Sequence, residues 1–332
     1  MNLSVVVIGR NEGARLERCL ESVRAMNHSG LNLQIIYVDS ASTDNSVAAA
    51  RAYGAEVVAV RPDRPTAALG RNAGWRRASG SLILFLDGDT ILDPRFVIDS
   101  IPEFDNPKTA IVWGHRREVH AHASLFNRVL DLDWIYAPGI TEFCGGDALM
   151  RRSVLEEVGG FDETLIAGEE PEMCRRIRAL GYQVVHVNRP MTGHDLAMTS
   201  WRQYWKRATR AGYAYAEVST RFRNTANPFW IEDARRNRHR AVVLLLIPVL
   251  AVFGSLALWN AWPVTVAAGL LLLLSLRTAW KARWKSRDWF ALLLYGVHSH
   301  LQQIPIFLGQ RQYARDLSSG QRRGLIEYKD AA

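Results

Sequence analysis

The 332-residue sequence predicts an α/β domain built on a largely parallel sheet, followed by a helical membrane region. Three observations lead there. Residues 3–8 (LSVVVI), 34–38 (QIIYV) and 82–86 (LILFL) are continuous apolar runs separated by helix-like segments, the pattern of strands buried on both faces and joined by crossover helices. Residues 241–276 carry no charged side chain. Charge is also divided along the chain: 21 basic against 26 acidic residues up to Ser200, then 20 against 7 beyond it.

Segments 14–26, 44–53 and 66–79 read as the helices that connect the first strands. In sheets of this kind ligands bind beyond the carboxyl ends of the strands, which here are occupied by Asn11 and Glu12, by Asp39 to Asp44, and by Asp87 to Asp89. From about residue 110 the alternation loosens. Residues 111–113 read as a strand, 124–136 as a helix, and 147–158 as a helix introduced by the Gly145-Gly146 turn. A helix over 171–180 begins with Pro171, where a missing amide costs nothing, and stops before Gly181, suited to a left-handed cap. Gln183–Val187 reads as a strand, and 201–217 as a helix interleaving aromatics and cations, with Lys206, Arg207 and Arg210 toward phosphate or lipid headgroups.

The stretch Ala241–Leu258, the turn Trp259-Asn260-Ala261-Trp262-Pro263 and the run to Leu276 predict a transmembrane hairpin, each arm near the lower end of the ~17–25 residues that a span needs. Arg235, Arg236, Arg238 and Arg240 precede it, and Arg277, Lys281, Arg283, Lys285 and Arg287 follow it; the excess of positive charge places both outer ends on the cytoplasmic side. A third apolar stretch, Trp289–Leu308, is interrupted by His298, His300, Gln302, Gln303 and Pro305. Such residues are expensive at the centre of a lipid-facing helix, so an interfacial or re-entrant helix is expected. The expected organisation is therefore a catalytic domain over 1–220, a basic juxtamembrane linker over 221–240, a membrane region over 241–310 (hairpin 241–276, interfacial or re-entrant helix 288–308), and a basic cytoplasmic tail over 311–332 that includes Arg311, Arg315, Arg322 and Arg323.

Hydrophobic residues make up 48% of the chain, which argues against disorder. Eight of the eleven Trp lie with the basic residues after Ser200, an arrangement that suits an anionic membrane surface and not nucleic acid. Cys19, Cys144 and Cys174 are odd in number and form no CxxC pair, so neither a disulfide framework nor a zinc cluster is indicated and a reducing compartment is expected. No signal-peptide pattern precedes the first strand. The expected location is the cell inner membrane, with the first domain in the cytoplasm.

The chemistry concentrates at strand ends. In LILFLDGD, Asp87 and Asp89 leave the strand with only Gly88 between them, and two carboxylates there can hold a hard cation such as Mg²⁺ or Mn²⁺ whose shell is completed by diphosphate oxygens. In YVDSASTDNS, Asp39 follows a strand and can accept from a base imide or ribose hydroxyl, while Asp44 reads as the N-cap of the next helix. In GRNAGWRRASG, Arg71 and Asn72 face a nucleotide diphosphate or ribose, and Arg76 and Arg77 a solvated helix face. His194, in MTGHDLAMT, is placed either as a third metal ligand or against the diphosphate.

In this order and spacing, these elements resemble glycosyltransferase family 2, whose nucleotide-sugar domain has the Rossmann-like GT-A fold. Asn11-Glu12, Asp39, Asp44, Arg71-Asn72 and Asp87-Gly88-Asp89 carry the resemblance, which covers residues 3 to about 215. It implies a nucleoside diphosphate sugar as donor, Asp39 at the base and Asp89 as the more direct metal ligand. FCGGDALMRRSVLEEVGGFDE and IAGEEPEMCRRIRALG look like the acceptor-side half of the family, with Gly145, Gly146 and Asp147 toward the acceptor. Glu169 and Glu170 stand where many relatives carry Glu-Asp or Asp-Asp. Inversion by direct displacement needs a carboxylate to take the acceptor proton, a role that falls to Glu170 with Glu169 in contention. Gln203 and Arg207 lack a following Trp, so the QxxRW pattern of processive synthases is not matched.

The resulting expectation is a metal-dependent, inverting hexosyltransferase acting on a hydroxyl of a lipid-linked or saccharide acceptor, in polysaccharide or glycolipid synthesis. Two other readings are a polyprenyl-phosphate monosaccharide synthase, whose nucleophile is phosphate, and a non-catalytic nucleotide-sugar-binding membrane partner of an assembly complex.

Overall fold

The computed structural model describes residues 1–61 and 63–320. The expected tail residues Arg322 and Arg323 lie outside the described residues. In chain order the elements are β1 (Asn2–Gly9), α1 (Ala14–Ala25), β2 (Asn32–Asp39), α2 (Ser46–Ala52), β3 (Glu56–Ala59), α3 (Ala67–Arg77), β4 (Leu82–Asp87), β5 (Thr90–Leu92), α4 (Phe96–Ser100), a 3-10 turn (Ile101–Asp105) and β6 (Thr109–Glu118). There follow α5 (Leu125–Asp133), β7 (Gly139–Thr141), β8 (Ala148–Arg151), α6 (Arg152–Val158), α7 (Glu169–Ala179), β9 (Gln183–His194), α8 (Trp201–Phe222), α9 (Ile231–Leu258), α10 (Trp262–Lys281), α11 (Trp289–Leu301) and α12 (Gln303–Ser318).

The chain forms two compact units. Among the described residues, 1–120 and 134–197 make a sheet domain, while 121–133 and 198–320 make a helical unit that takes α5 out of the middle of the sheet domain's sequence. Within the sheet domain the described strands run in the order β3-β2-β1-β4-β8-β6-β9-β5, with β7 also on β9. The three apolar runs of the sequence are β1, β2 and β4, mutually parallel, and Val5, Val6, Leu84 and Phe85 are fully buried, as central strands covered on both faces require. Helix α3 packs closely because Gly74 stands against β1: a Cβ there would lie 2.2 Å from Val6 Cγ1.

Beyond β4 the sheet departs from the sequence reading. Residues 147–158, expected as one helix, divide into the strand β8 and the helix α6. β8 is antiparallel to both β4 and β6, and this pairing overrides the helix propensity of Ala148, Leu149 and Met150. β6 and β9 are much longer than expected and pair in parallel with shifts of register, so that β9 runs on to His194. α7 begins two residues before Pro171 and brings Glu169 and Glu170 into its first turn. Gly168 caps it at φ 87°, a conformation that glycine adopts without strain.

In the helical unit, α9 and α10 are 28 and 20 residues long, with only 11% and 6% of their most apolar windows buried. Core helices would be covered. At ~1.5 Å per residue both are long enough to cross a ~30 Å hydrocarbon layer, so length and composition make them candidate membrane spans. The basic residues Arg235 to Arg240 are the first turns of α9 itself. Trp259, at the turn between α9 and α10, is 96% exposed.

Candidate functional site

The first βα loop is pinned by side chains that the sequence placed at the donor. Asn11 takes φ 53°, and its Oδ1 accepts from the Thr43 N–H at 2.7 Å while its own N–H donates to Ser42 Oγ at 3.0 Å. Glu12 pairs with Arg15 at 3.0 Å. Asp44 is not the N-cap of α2: that position is Asn45, without a side-chain cap bond. Asp44 instead accepts from Gly13 N–H at 3.1 Å and Ser46 N–H at 3.0 Å, joining the two loops. Burial acts to raise its pKa, but these bonds outweigh it and hold the carboxyl below its ordinary range. Asp39, at the end of β2 and buried, accepts from Tyr37 Oη at 3.2 Å and Ser42 N–H at 3.0 Å. A carboxylate accepts about four hydrogen bonds, so two such donors leave it capacity for a ligand.

Past β4, Asp87, Asp89 and His194 each offer an atom within 4.8 Å of the others, the one group of this kind among the described residues. His194 Nε2 lies 3.3 Å from Asp89 Oδ1. The Asp195 N–H donates to the Asp89 carbonyl at 3.0 Å, fixing the end of β9 against the loop after β4. The two carboxylates suit Mg²⁺ or Mn²⁺, with the His194 imidazole a nitrogen donor beside them. The residues therefore fit a divalent ion.

Arg71 departs from the expectation that it faces a diphosphate. It is 2% exposed and lies within the protein, its Nη2 donating to Asp87 Oδ1 at 2.9 Å and its Nη1 standing 3.0 Å from both Glu169 Oε1 and Glu170 Oε1. Burial works against its charge, but the carboxylates of Glu170, Asp87 and Glu169 hold the guanidinium firmly protonated. Asn72 has also been taken from the ligand. Its Nδ2 donates to Phe161 O and Glu163 Oε1, both at 2.8 Å, and its Oδ1 accepts from Trp75 Nε1 at 2.8 Å and Phe161 N–H at 3.0 Å. Every donor and acceptor of the amide is thereby used inside the protein.

Asp87 is held from a second side by Arg116, whose Nη2 lies 3.2 Å from Oδ2. Nothing in the sequence marks Arg116, one of two adjacent arginines on β6. Asp147, expected toward the acceptor, is buried and accepts the Asp87 N–H at 2.9 Å and Thr192 Oγ1 at 2.8 Å, so it positions Asp87 from beneath. Burial, foremost, pushes the Asp147 carboxyl up, against the pull of Arg116. Gly146 has to be glycine for space: a Cβ there would lie 2.5 Å from Arg71 Nη2 and 2.9 Å from Asp87 Oδ2. Gly145 is less constrained, its nearest neighbour being Arg116 Nη1 at 3.6 Å.

Glu170 stands at the first turn of α7. Burial, and then the adjacent charge of Glu169, push its carboxyl up to about 7, with Arg71 pulling the other way. A carboxylate poised there exchanges protons readily near neutral pH. Beside this cluster lies a cavity of 190 Å³ lined by Trp113, Trp134, Tyr136 and Phe143 together with Gly145, Asp147 and Arg116. No sequence motif marks these aromatics, because they come from β6 and from the loops on either side of β7.

Comparison with known proteins bears on this arrangement. The family described as Glycosyl transferase family 2 matches residues 4–159, and that described as Glycosyl transferase family group 2 matches residues 82–298. The chain is 24% identical over 229 residues to Probable glycosyltransferase YdaM of Bacillus subtilis (strain 168), covering 63% of this chain and 54% of that protein. It is 29% identical over 198 residues to O-antigen chain rhamnosyltransferase WbaN of Salmonella anatum, covering 55% of this chain and 62% of that one. The chain thus spans between half and two thirds of the length of these relatives. Among solved structures it shares the fold of mannosyltransferase PcManGT from Pyrobaculum calidifontis in complex with GDP-Man and Mn²⁺, at TM-score 0.60 and 19% identity over 95% of this chain and 87% of that one.

Proposed function

The chain belongs to glycosyltransferase family 2, and from that membership we propose that it transfers a sugar, with inversion, from a nucleoside diphosphate sugar to a hydroxyl of an acceptor held at the membrane. One observation carries the reading above the others. A single buried guanidinium, Arg71, touches Asp87 of the metal group with one nitrogen and Glu169 and Glu170 with the other, so the site for the leaving group and the candidate base are fixed to one rigid support.

Inverting displacement needs those two functions on opposite sides of the anomeric carbon. Asp39, with Asn11 holding its loop, takes the nucleotide end of the donor. Asp87, Asp89 and His194 are the residues that would hold Mg²⁺ or Mn²⁺, which supplies positive charge to the departing diphosphate. Glu170, with a carboxyl near 7, accepts the proton of the acceptor hydroxyl. Arg71 keeps Glu170 in place and supports its ionised form. Glu169, with its side chain 6% exposed, is the third carboxylate on Arg71, and its charge helps to raise the Glu170 carboxyl.

The membrane part of the reading rests on α9 and α10 as the arms of a spanning hairpin. Arg235 to Arg240 at one outer end and Arg277 to Arg287 at the other favour a cytoplasmic placement of both, in the cell inner membrane. An active site on that side meets nucleotide sugars and acceptors anchored in the same leaflet.

The test is direct. Purified protein is supplied with a panel of nucleoside diphosphate sugars and Mn²⁺, and nucleoside diphosphate release and product anomer are followed with and without acceptor. Glu170→Gln is expected to lower transfer to a hydroxyl by a factor on the order of 10²–10⁴ with the folded state retained, as circular dichroism checks. Unaltered transfer, or retention of the donor's anomeric configuration, would refute the proposed role.

A further inference from the structure

We propose that the aromatic cavity beside Asp87 is a subsite for one neutral sugar ring of the acceptor, so that the nucleophile is a saccharide hydroxyl and not a lipid phosphate. The inference rests on the transferase reading above and adds the acceptor's chemical class. Its first support is the wall. Trp113, Trp134, Tyr136 and Phe143 surround 190 Å³, less than the ~300–1,000 Å³ of sites for drug-sized ligands, and hence room for a single ring. A pyranose offers such a wall a face of C–H bonds, and offers its hydroxyls to the few polar groups of the lining, among them Asp147 and Thr192. Trp113 and Tyr136 stand edge-on to each other with ring centroids 5.2 Å apart, and Tyr136 does the same with Phe143 at 6.2 Å. These contacts fix the Tyr136 ring before any ligand arrives.

The second support is charge. Arg116 is the one cation among the described residues of the lining, and it is already engaged: its Nη2 lies 3.2 Å from Asp87 Oδ2, its Nε 3.5 Å from Asp147 Oδ2, and its Cζ 4.9 Å from the centre of the Trp134 ring. The same wall contains the Asp147 carboxyl. A phosphate nucleophile would enter beside a carboxylate with no uncommitted cation, which disfavours it electrostatically; a neutral ring meets no such barrier.

The third support is position. The cavity is walled by β6 and β9, whereas the candidate nucleotide residues Asn11 and Asp39 follow β1 and β2. β4, with the metal group at its end, lies between these two pairs in the strand order. A ring in the cavity thus lies across the leaving-group site from the nucleotide, where an acceptor belongs.

Full-length protein in detergent, with Mn²⁺ and the nucleotide sugar that it hydrolyses, is offered a set of octyl glycosides, each a single neutral ring, and separately farnesyl phosphate. At least one octyl glycoside is expected to accelerate nucleoside diphosphate release. Tyr136→Ala should raise that glycoside's KM by about tenfold or more while the donor KM shifts by less than about twofold, and Tyr136→Phe, which keeps the ring, should restore the KM. Acceleration by farnesyl phosphate alone would overturn the proposal, as would an equal rise in both KM values, which would assign the cavity to the donor sugar. Donor hydrolysis that no probe accelerates would also count against it. Failure of the underlying transferase reading looks different: no nucleotide sugar would be hydrolysed at all.

Discussion

Arg71 and Asn72 are adjacent on α3, polar, and alike in what they promise from sequence, yet they do different work. The roughly 100° between adjacent helical positions directs Arg71 to three carboxylates and Asn72 to the backbone of residue 161. That division depends on segments some 90 residues away, which is why a local motif could identify the pair but not its partners. Asn72→Ala should lower unfolding stability by about 3 kcal/mol, because four hydrogen-bond partners, three of them buried, lose their mate at once; chemical denaturation monitors it, and a loss under about 1 kcal/mol would contradict the clamp. Glu170 yields a prediction with a definite sign. Its carboxyl is raised to about 7, so the base is protonated below that pH and the transfer rate should rise through about pH 7 to a plateau. Glu169→Gln deletes the neighbouring like charge and should move this limb toward lower pH, as a pH–rate profile would report. The same shift means that the fold favours the protonated Glu170, so its contribution to stability is fully present below the ordinary carboxyl range and is lost as pH rises toward about 7.

At the scale of elements, what could be read from sequence followed hydrophobic continuity. β1, β2 and β4 lie where the apolar runs lie, and α1 and α3 fall between them, because a strand covered on both faces has to be apolar throughout. β8 was not legible. Ala148, Leu149 and Met150 favour a helix, and only pairing to β4 and β6 makes them a strand. The boundary of α7 mattered most for chemistry, since its start at Glu169 turns two loop acids into first-turn acids, where the helix dipole favours their ionised form. α9 and α10 allow a test of the hairpin. Leu250 and Leu273 are both 64% exposed, and replacing both with Arg should cost roughly 5–7 kcal/mol of membrane insertion. The double variant should leave the membrane pellet on fractionation; retention there as an extractable integral protein would refute spanning.

Over the whole molecule, two features explain most of what the sequence disclosed and what it hid. The sheet domain and the apolar helices differ sharply in charge and hydropathy, so their succession was visible. The recruitment of residues 121–133 into the helical unit was not, because it is a long-range packing decision with no local marker beyond one apolar face of α5. The same holds for the aromatic cavity, assembled from residues between 113 and 192. These levels meet at the proposed site, where Asp87, Asp89 and His194 would hold a cation against the diphosphate of the donor. Calorimetric titration of the protein with the nucleoside diphosphate, with and without Mn²⁺, tests it most directly. Wild-type affinity should rise at least about tenfold with the metal, and Asp87→Asn with Asp89→Asn should abolish that gain while leaving the metal-free affinity in place; a metal-dependent gain that survives both substitutions would contradict the account.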